Sequence, residues 1–499
     1  MHFNNPIIPG FHPDPSICRA GHDYYLVTSS FEYFPGVPVF HSRDLIHWSQ
    51  VGYCLSRNSQ LPLSGARSSG GIYAPTIRFH QGRFYMITTN VTGGGHFFVS
   101  ADDPAGEWSE PVWLAGGGID PSLFFAEDGK TYFTYTSGGI VQREIELSTG
   151  AVGEEKLLWK GTGGQYPEAP HLYQIGNLYY LLIAEGGTEY GHMLTIARSS
   201  SPWGPFEACP HNPILTHRST NSPIQATGHG DFIQDVQGHW WVVFLGIRPN
   251  GHWPYHHLGR ETFLAPLTWD VDGWPVIGQA GRVALEMEGP DLPSSNLAPV
   301  EPEPDSFDQN SLRLSWNFLR NPQGWRWSLT ERPGWLRLYG SAAGLNEVSS
   351  PAWVGRRQEH FDLLTSAKVD FDPQSENEEA GLVVWMNERH HAEIILTLRG
   401  GQRCVVVRRR IGSLTAEVAC HPANPGPVIL SIRARRDSYA FSIIYESGAP
   451  HELARAETRY LSTEVGGGFT GVFLAMYSTG NGLSCTSPAD FDWFEYRPE

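Results

Sequence analysis

The chain has 499 residues, more than one hydrophobic core holds, so two or three domains are expected. Its formal net charge of −17, unrelieved by any basic stripe, repels phosphate backbones and excludes nucleic acid as a partner. No apolar run approaches the ~20 residues of a membrane helix, so no membrane partner is expected. Aromatic residues make up 12% and glycines number 55, which suits a turn-rich all-β protein whose rings mostly fill cores.

The opening Met1-His2-Phe3-Asn4-Asn5-Pro6 lacks a charged stretch leading into an apolar one. The six cysteines are scattered, with no CxxC pair and no disulfide framework. A cytoplasmic, reducing setting is therefore expected. Homo-oligomerisation is left open.

From residue 12 onward one plan recurs five times: a Pro- or Gly-flanked start, a short apolar run, a glycine turn and an aromatic-rich strand. The starts are His12-Pro13-Asp14-Pro15-Ser16-Ile17, Tyr73-Ala74-Pro75-Thr76-Ile77, Ile119-Asp120-Pro121-Ser122-Leu123, Glu168-Ala169-Pro170-His171-Leu172 and Thr227-Gly228-His229-Gly230-Asp231. The turn glycines 21, 82, 129, 176 and 238 are spaced by 61, 47, 47 and 62 residues. That interval holds one four-stranded sheet, and five such sheets packed radially make a five-bladed β-propeller. The flanking prolines are expected to hold Asp14 on a stiff, extended segment. Asp44-Leu45-Ile46-His47-Trp48 and Ser201-Pro202-Trp203-Gly204-Pro205-Phe206 read as outer strands or blade edges. Residues 256–262 are expected to return the chain toward the mouth or close the ring.

Residues 1–288 thus form the propeller, and the Pro/Ser/Glu-rich stretch 289–304 reads as a linker. Over 305–499 the repeat stops. Strand-like runs such as Leu382-Val383-Val384-Trp385-Met386, Cys404-Val405-Val406-Val407 and Thr470-Gly471-Val472-Phe473-Leu474 predict an antiparallel β-sandwich.

In a propeller the first strand of every blade lines the axis, so Asp14, Asp120 and Glu168 should meet at one mouth. Three carboxylates there suit inverting glycoside hydrolysis, with one activating water and another protonating the leaving oxygen. A third raises the acid's pKa by like-charge repulsion. Glu168 and Glu185 compete as the acid. Position favours Glu168 and leaves Glu185 as a supporting group. His229 is expected on the axis, either hydrogen-bonded below the site or as a metal ligand, with calcium as the ion considered. Arg260 is a candidate to fix a carboxylate or sugar hydroxyl, against the alternative of a surface pair with Glu261. Phe31 and Tyr73 are candidates for stacking on a sugar, or else core rings.

Together, Asn5-Pro6-Ile7-Ile8-Pro9-Gly10-Phe11-His12-Pro13-Asp14-Pro15-Ser16, Ile119-Asp120-Pro121-Ser122-Leu123-Phe124-Phe125, Glu168-Ala169-Pro170-His171-Leu172-Tyr173, Ala184-Glu185-Gly186-Gly187-Thr188 and Leu258-Gly259-Arg260-Glu261-Thr262 resemble glycoside hydrolase family 43. The likeness is to its β-xylosidase and α-L-arabinofuranosidase members with a C-terminal concanavalin-like (jelly-roll) sandwich. The resemblance implies exo-acting, inverting release of a terminal pentose from plant cell-wall oligosaccharides, with no cofactor required. By motif, Asp14 would be the base, Glu168 the acid and Asp120 the group that tunes and orients the acid. Arg260, Phe31, His229 and Tyr73 would bind the terminal sugar. Phe469, in Gly468-Phe469-Thr470, would close one side of the pocket. Tyr73 stands where many such xylosidases carry Trp, which leaves the choice between xylose and arabinose open.

Overall fold

The structure is a computed structural model that describes residues 1–293, 304–445 and 448–499. Each of the five repeats folds into its own antiparallel sheet, three of four strands and two of five. The innermost strands are Ser16–Ala20, Thr76–His80, Ile119–Phe125, Glu168–Ile175 and Gln225–Gln234. Each inner strand packs against the next, and the fifth returns to the first, so the sheets form a closed five-bladed ring. The repeat glycines occupy the hairpin turns after these strands, all at positive φ. Aromatic and β-branched residues dominate the second strands; Phe133, Leu181 and Trp241 are wholly buried between blades.

The N-terminal segment staples the ring. His2–Asn4 pairs with Glu286–Glu288, and the amides of Ile7 and Ile8 donate to the Thr262 carbonyl at 2.9 and 3.2 Å. Asn5 exchanges side-chain hydrogen bonds of 2.9 Å with both backbone groups of Leu264.

One buried network ties the inner strands across the axis. Asp231, wholly buried, receives Arg78 at 2.7 Å, the Ser16 hydroxyl at 2.7 Å, the Ile17 amide at 3.1 Å and the Tyr173 hydroxyl at 2.6 Å. Arg78 also reaches His171 Nδ1 at 2.9 Å. Burial opposes the Asp231 charge, but Arg78, His171 and these donors outweigh it and hold the carboxyl far below its usual range. Four blades are thereby joined through one carboxylate.

Beyond the propeller, a seven-stranded and a six-stranded sheet form the second unit. It docks by continuing the propeller's own structure. Phe318–Leu319 pairs with Tyr33–Phe34. Tyr33 stacks on Phe473 with centroids 4.0 Å apart. A single apolar cluster runs from Val27, Leu61 and Ile72 through Phe318 to Leu336, Val354 and Phe441.

Two segments take the blade-edge alternative, and one strand starts later than expected. Residues 44–48 form a turn rather than a strand, because the Asp44 carboxylate caps the amides of Ile46 and His47 at 3.0 and 2.8 Å. Residues 201–206 are likewise a turn at a blade edge. The strand read from Thr470 begins at Phe473, since residues 467–472 are drawn off to the propeller mouth. Most of the 289–304 linker, residues 294–303, lies outside the described residues.

Candidate active site

Three inner strands, those of the third, fourth and fifth blades, break register at the mouth. The ladder jumps from Ile119 to Ser122, from Glu168 to His171, and from Gln225 to Gly228 and on to Asp231. In each jump two residues oppose one, which is a β-bulge. The first of each two, Asp120, Ala169, Ala226 and His229, has φ between 47° and 55°; Asp14, at the matching place in the first blade, has φ 57°. An L-residue there is strained by on the order of 1–2 kcal/mol. The prolines after Asp14, Asp120 and Ala169 therefore do not hold their neighbours extended, as local bias alone suggests. Pro121 and Pro170 fill the bulge, where no ladder donor is needed, and the left-handed residue before each turns off the strand.

These bulges line a cavity of about 680 Å³ that contains Asp14, Asp120, Glu168, His229 and Arg260. Asp14 is 4% exposed. Its Oδ1 accepts from Arg260 Nη1 at 2.7 Å, its Oδ2 accepts from the Ser29 hydroxyl at 2.5 Å, and His229 Nδ1 stands 3.5 Å away. Burial alone would raise its pKa. Arg260, His229 and Ser29 together reverse that and hold the carboxyl below its ordinary value. Arg260 is itself fixed by Thr188 Oγ1 at 3.0 Å and the Phe469 carbonyl at 3.3 Å. Its alternative partner, Glu261, is committed elsewhere, taking Arg248 at 2.7 and 2.8 Å and the Gly10 amide at 2.8 Å.

Asp120 and Glu168 behave oppositely to Asp14. Burial and the Asp14 charge push Glu168 up to about 7, with Arg260 offsetting part. Burial, then the charges of Glu168 and Asp14, push Asp120 well above its ordinary range. Like charges in one buried cavity disfavour ionising both. The Ala169 amide donates to Asp120 Oδ2 at 3.2 Å, which offsets part of the rise on Asp120.

Phe31, Tyr73 and Phe469 form one wall, with Phe31 centroids 5.3 Å from Tyr73 and 6.1 Å from Phe469. Arg260 lies over Phe31 and Phe469 at 5.7 and 5.8 Å. The Phe469 amide donates to Ser69 Oγ at 2.8 Å, so a second-domain loop is pinned onto the second blade's approach. Glu185 does not reach the cavity. It is wholly buried and accepts the Thr162 and Gly164 amides at 2.9–3.0 Å and the Thr195 hydroxyl at 2.6 Å, bracing the loop before Glu168.

As a metal ligand His229 finds no company. No grouping of three or more His, Cys, Asp or Glu able to hold a metal occurs among the described residues. Its neighbour Asp14 is already paired with a cation, so these residues do not fit a protein-held calcium. The flanking Gly228 has a packing reason: a Cβ there would stand 2.4 Å from the His192 ring. His192 itself escapes sequence reasoning. It lines the cavity, is pushed by burial to about 3, and donates from Nδ1 to the Ala226 carbonyl at 3.1 Å. Thr188 stood in the quoted Ala184–Thr188 motif, but nothing in the sequence marked its bond to Arg260.

Comparison with known proteins agrees with this geometry. The family described as Glycosyl hydrolases family 43 matches residues 3–275, and Beta xylosidase C-terminal Concanavalin A-like domain matches 304–497. A non-reducing end alpha-L-arabinofuranosidase of Bacteroides ovatus is 50% identical, covering 99% of this chain and 94% of its own. A xylosidase/arabinosidase of Butyrivibrio fibrisolvens is 40% identical, covering 98% of both. A solved structure of GH43B from the Bacteroides ovatus xyloglucan PUL superposes with a TM-score of 0.97 at 48% identity, covering all of both chains. With a propeller, a fused sandwich and three carboxylates in one cavity, the chain belongs to glycosyl hydrolase family 43.

Proposed function

We propose that the protein is an exo-acting, inverting glycosidase that releases a terminal pentose, α-L-arabinofuranose ahead of β-D-xylose, from plant cell-wall oligosaccharides. The observation that carries this is the opposed protonation of carboxyls sharing one cavity: Asp14 held ionised by Arg260, Glu168 held protonated toward neutrality. Ionised Asp14 takes a proton from water, whose oxygen attacks the anomeric carbon. The glycosidic bond breaks with its electron pair on the leaving oxygen, and Glu168 delivers its proton there. Burial and the Asp14 charge keep the acid's pKa high, and Asp120, bonded to the Ala169 amide beside it, orients the acid's segment. The ring wall of Phe31, Tyr73 and Phe469 holds the terminal sugar, and Arg260 fixes both Asp14 and that sugar. Support for a pentose comes from the relatives, one an arabinofuranosidase and one a xylosidase/arabinosidase. The wall from Phe469 supports exo action, since it makes a pocket where an open groove would suit internal cleavage.

The test is hydrolysis of p-nitrophenyl α-L-arabinofuranoside and β-D-xylopyranoside, with the product anomer read by NMR. Asp14→Ala is expected to lose about 10²–10⁴-fold in kcat/KM on the better aryl substrate, and Glu168→Ala the same on the matching pentosyl disaccharide, whose sugar leaving group needs the acid. Full activity in either variant, or a retained anomer, refutes the assignment.

A further inference from the structure

The fourth blade gives the cavity more than its acid. Tyr166, two residues before Glu168, lines the same cavity yet is 61% exposed. It makes no hydrogen bond and no ring contact among the described residues. An idle ring of this kind is ordinarily a loose surface group, but this one is built in place. Its φ is 52°, a backbone state that a bulky side chain adopts only when its surroundings force it. It rests against Gly187, where a Cβ would stand 2.9 Å from ring Cδ2 and 3.4 Å from Cε2, so the glycine lets the ring lie close against the chain. The backbone leading into it is clamped: the Gly186 amide donates to the Gln165 carbonyl at 2.6 Å, and Glu185 holds Thr162 and Gly164.

Its position separates it from the other rings. Phe31, Tyr73 and Phe469 pack with one another and with Arg260 beside Asp14, where the sugar that is attacked by water belongs. Protonation of the leaving oxygen by Glu168 puts the departing group on the Glu168 side, and Tyr166 is the ring on that segment. Gln165 and Glu189, both exposed on the same rim, offer donors and acceptors for hydroxyl groups.

We infer that Tyr166 is the platform for the leaving group, and that the group it takes is a pyranose ring. A pyranose presents a face of C–H groups, which suits the negative face of an aromatic ring, and an edge of hydroxyls, which suits Gln165 and Glu189. This rests on the pentose-releasing function proposed above.

The experiment compares kcat/KM on a pentosyl-pyranose disaccharide with kcat/KM on the matching pentosyl fluoride, whose leaving group is a single atom. For Tyr166→Ala the disaccharide-to-fluoride ratio is expected to fall about 10–100-fold relative to wild type; for Tyr166→Phe, which keeps the ring, the ratio is expected to hold. A purely structural tyrosine would depress both substrates together, so an unchanged ratio in Tyr166→Ala overturns the inference while leaving the pentosidase assignment standing. Wild type that hydrolyses neither substrate overturns both.

Discussion

Arg260 offers a quantitative handle on the site. Its guanidinium lies 2.7 Å from Asp14 Oδ1, and the two residues are 6% and 4% exposed, so solvent screens the pair little. Taking the charge centres as about 4 Å apart at an effective dielectric of about 20, the attraction is about 4 kcal/mol. That attraction favours the ionised form of Asp14 and holds its pKa down. Replacing the arginine with an isosteric apolar chain, Arg260→Met, removes it; water entering the vacated space returns part, and the Asp14 pKa rises. The base works only when ionised. Raising its pKa therefore moves the acid limb of the kcat/KM profile to higher pH, besides lowering the plateau through lost sugar contacts. Arg260→Lys keeps the charge but not the fork, and its limb should stay near that of wild type. The profiles are to be recorded on p-nitrophenyl α-L-arabinofuranoside with folding checked by circular dichroism. If the methionine variant's acid limb coincides with that of wild type, Asp14 does not set it through Arg260 and the electrostatic argument is wrong.

Two further outcomes follow from the same groups. Glu168, raised to about 7, must be protonated to act, so kcat/KM should fall as pH rises through about 7. In Glu168→Gln, assayed on a pentosyl fluoride whose departure needs no acid, that alkaline limb should vanish; its persistence would assign it to another group. Asp231→Ala strands the Arg78 guanidinium as an unpaired buried cation, for which a loss of about 3–5 kcal/mol is expected. Urea unfolding followed by tryptophan fluorescence reads this, and an unmoved midpoint would deny the axial network its clamping role.

The repeat was legible because it is local. A glycine turn between an apolar run and an aromatic strand is written into consecutive residues, and ring closure then fixes where Asp14, Asp120 and Glu168 point. What prolines do at those starts was not legible. Stiffening toward extended backbone is their local effect, whereas Asp14 and Asp120 stand at left-handed φ, Asp120 in a bulge, and a bulge depends on the partner strand. Side chains that act across long separations were harder still. The bond between Arg260 and Thr188 and the seat of His192 on Gly228 arise only when blades 4 and 5 meet. Phe469 entered through resemblance alone, since its neighbour Ser69 lies 400 residues earlier. Tyr166 gave no signal, because an exposed tyrosine between Gln165 and Pro167 looks like any loop residue.

The share that the sandwich takes in the mouth sets an order of events on the ribosome. All three acids and their arginine emerge by residue 260, yet the ring that faces them across the hole is carried by residue 469 and is held from the far side by Ser69 and Arg260. A nascent propeller therefore owns its carboxylates well before it owns a finished site, and the chain gains its exo-acting shape only near the end of its synthesis. Trimming the C-terminal unit would remove a wall and uncover the apolar seam around Phe34 and Leu61 in the same stroke, so selection on solubility and selection on bond choice act on one and the same surface.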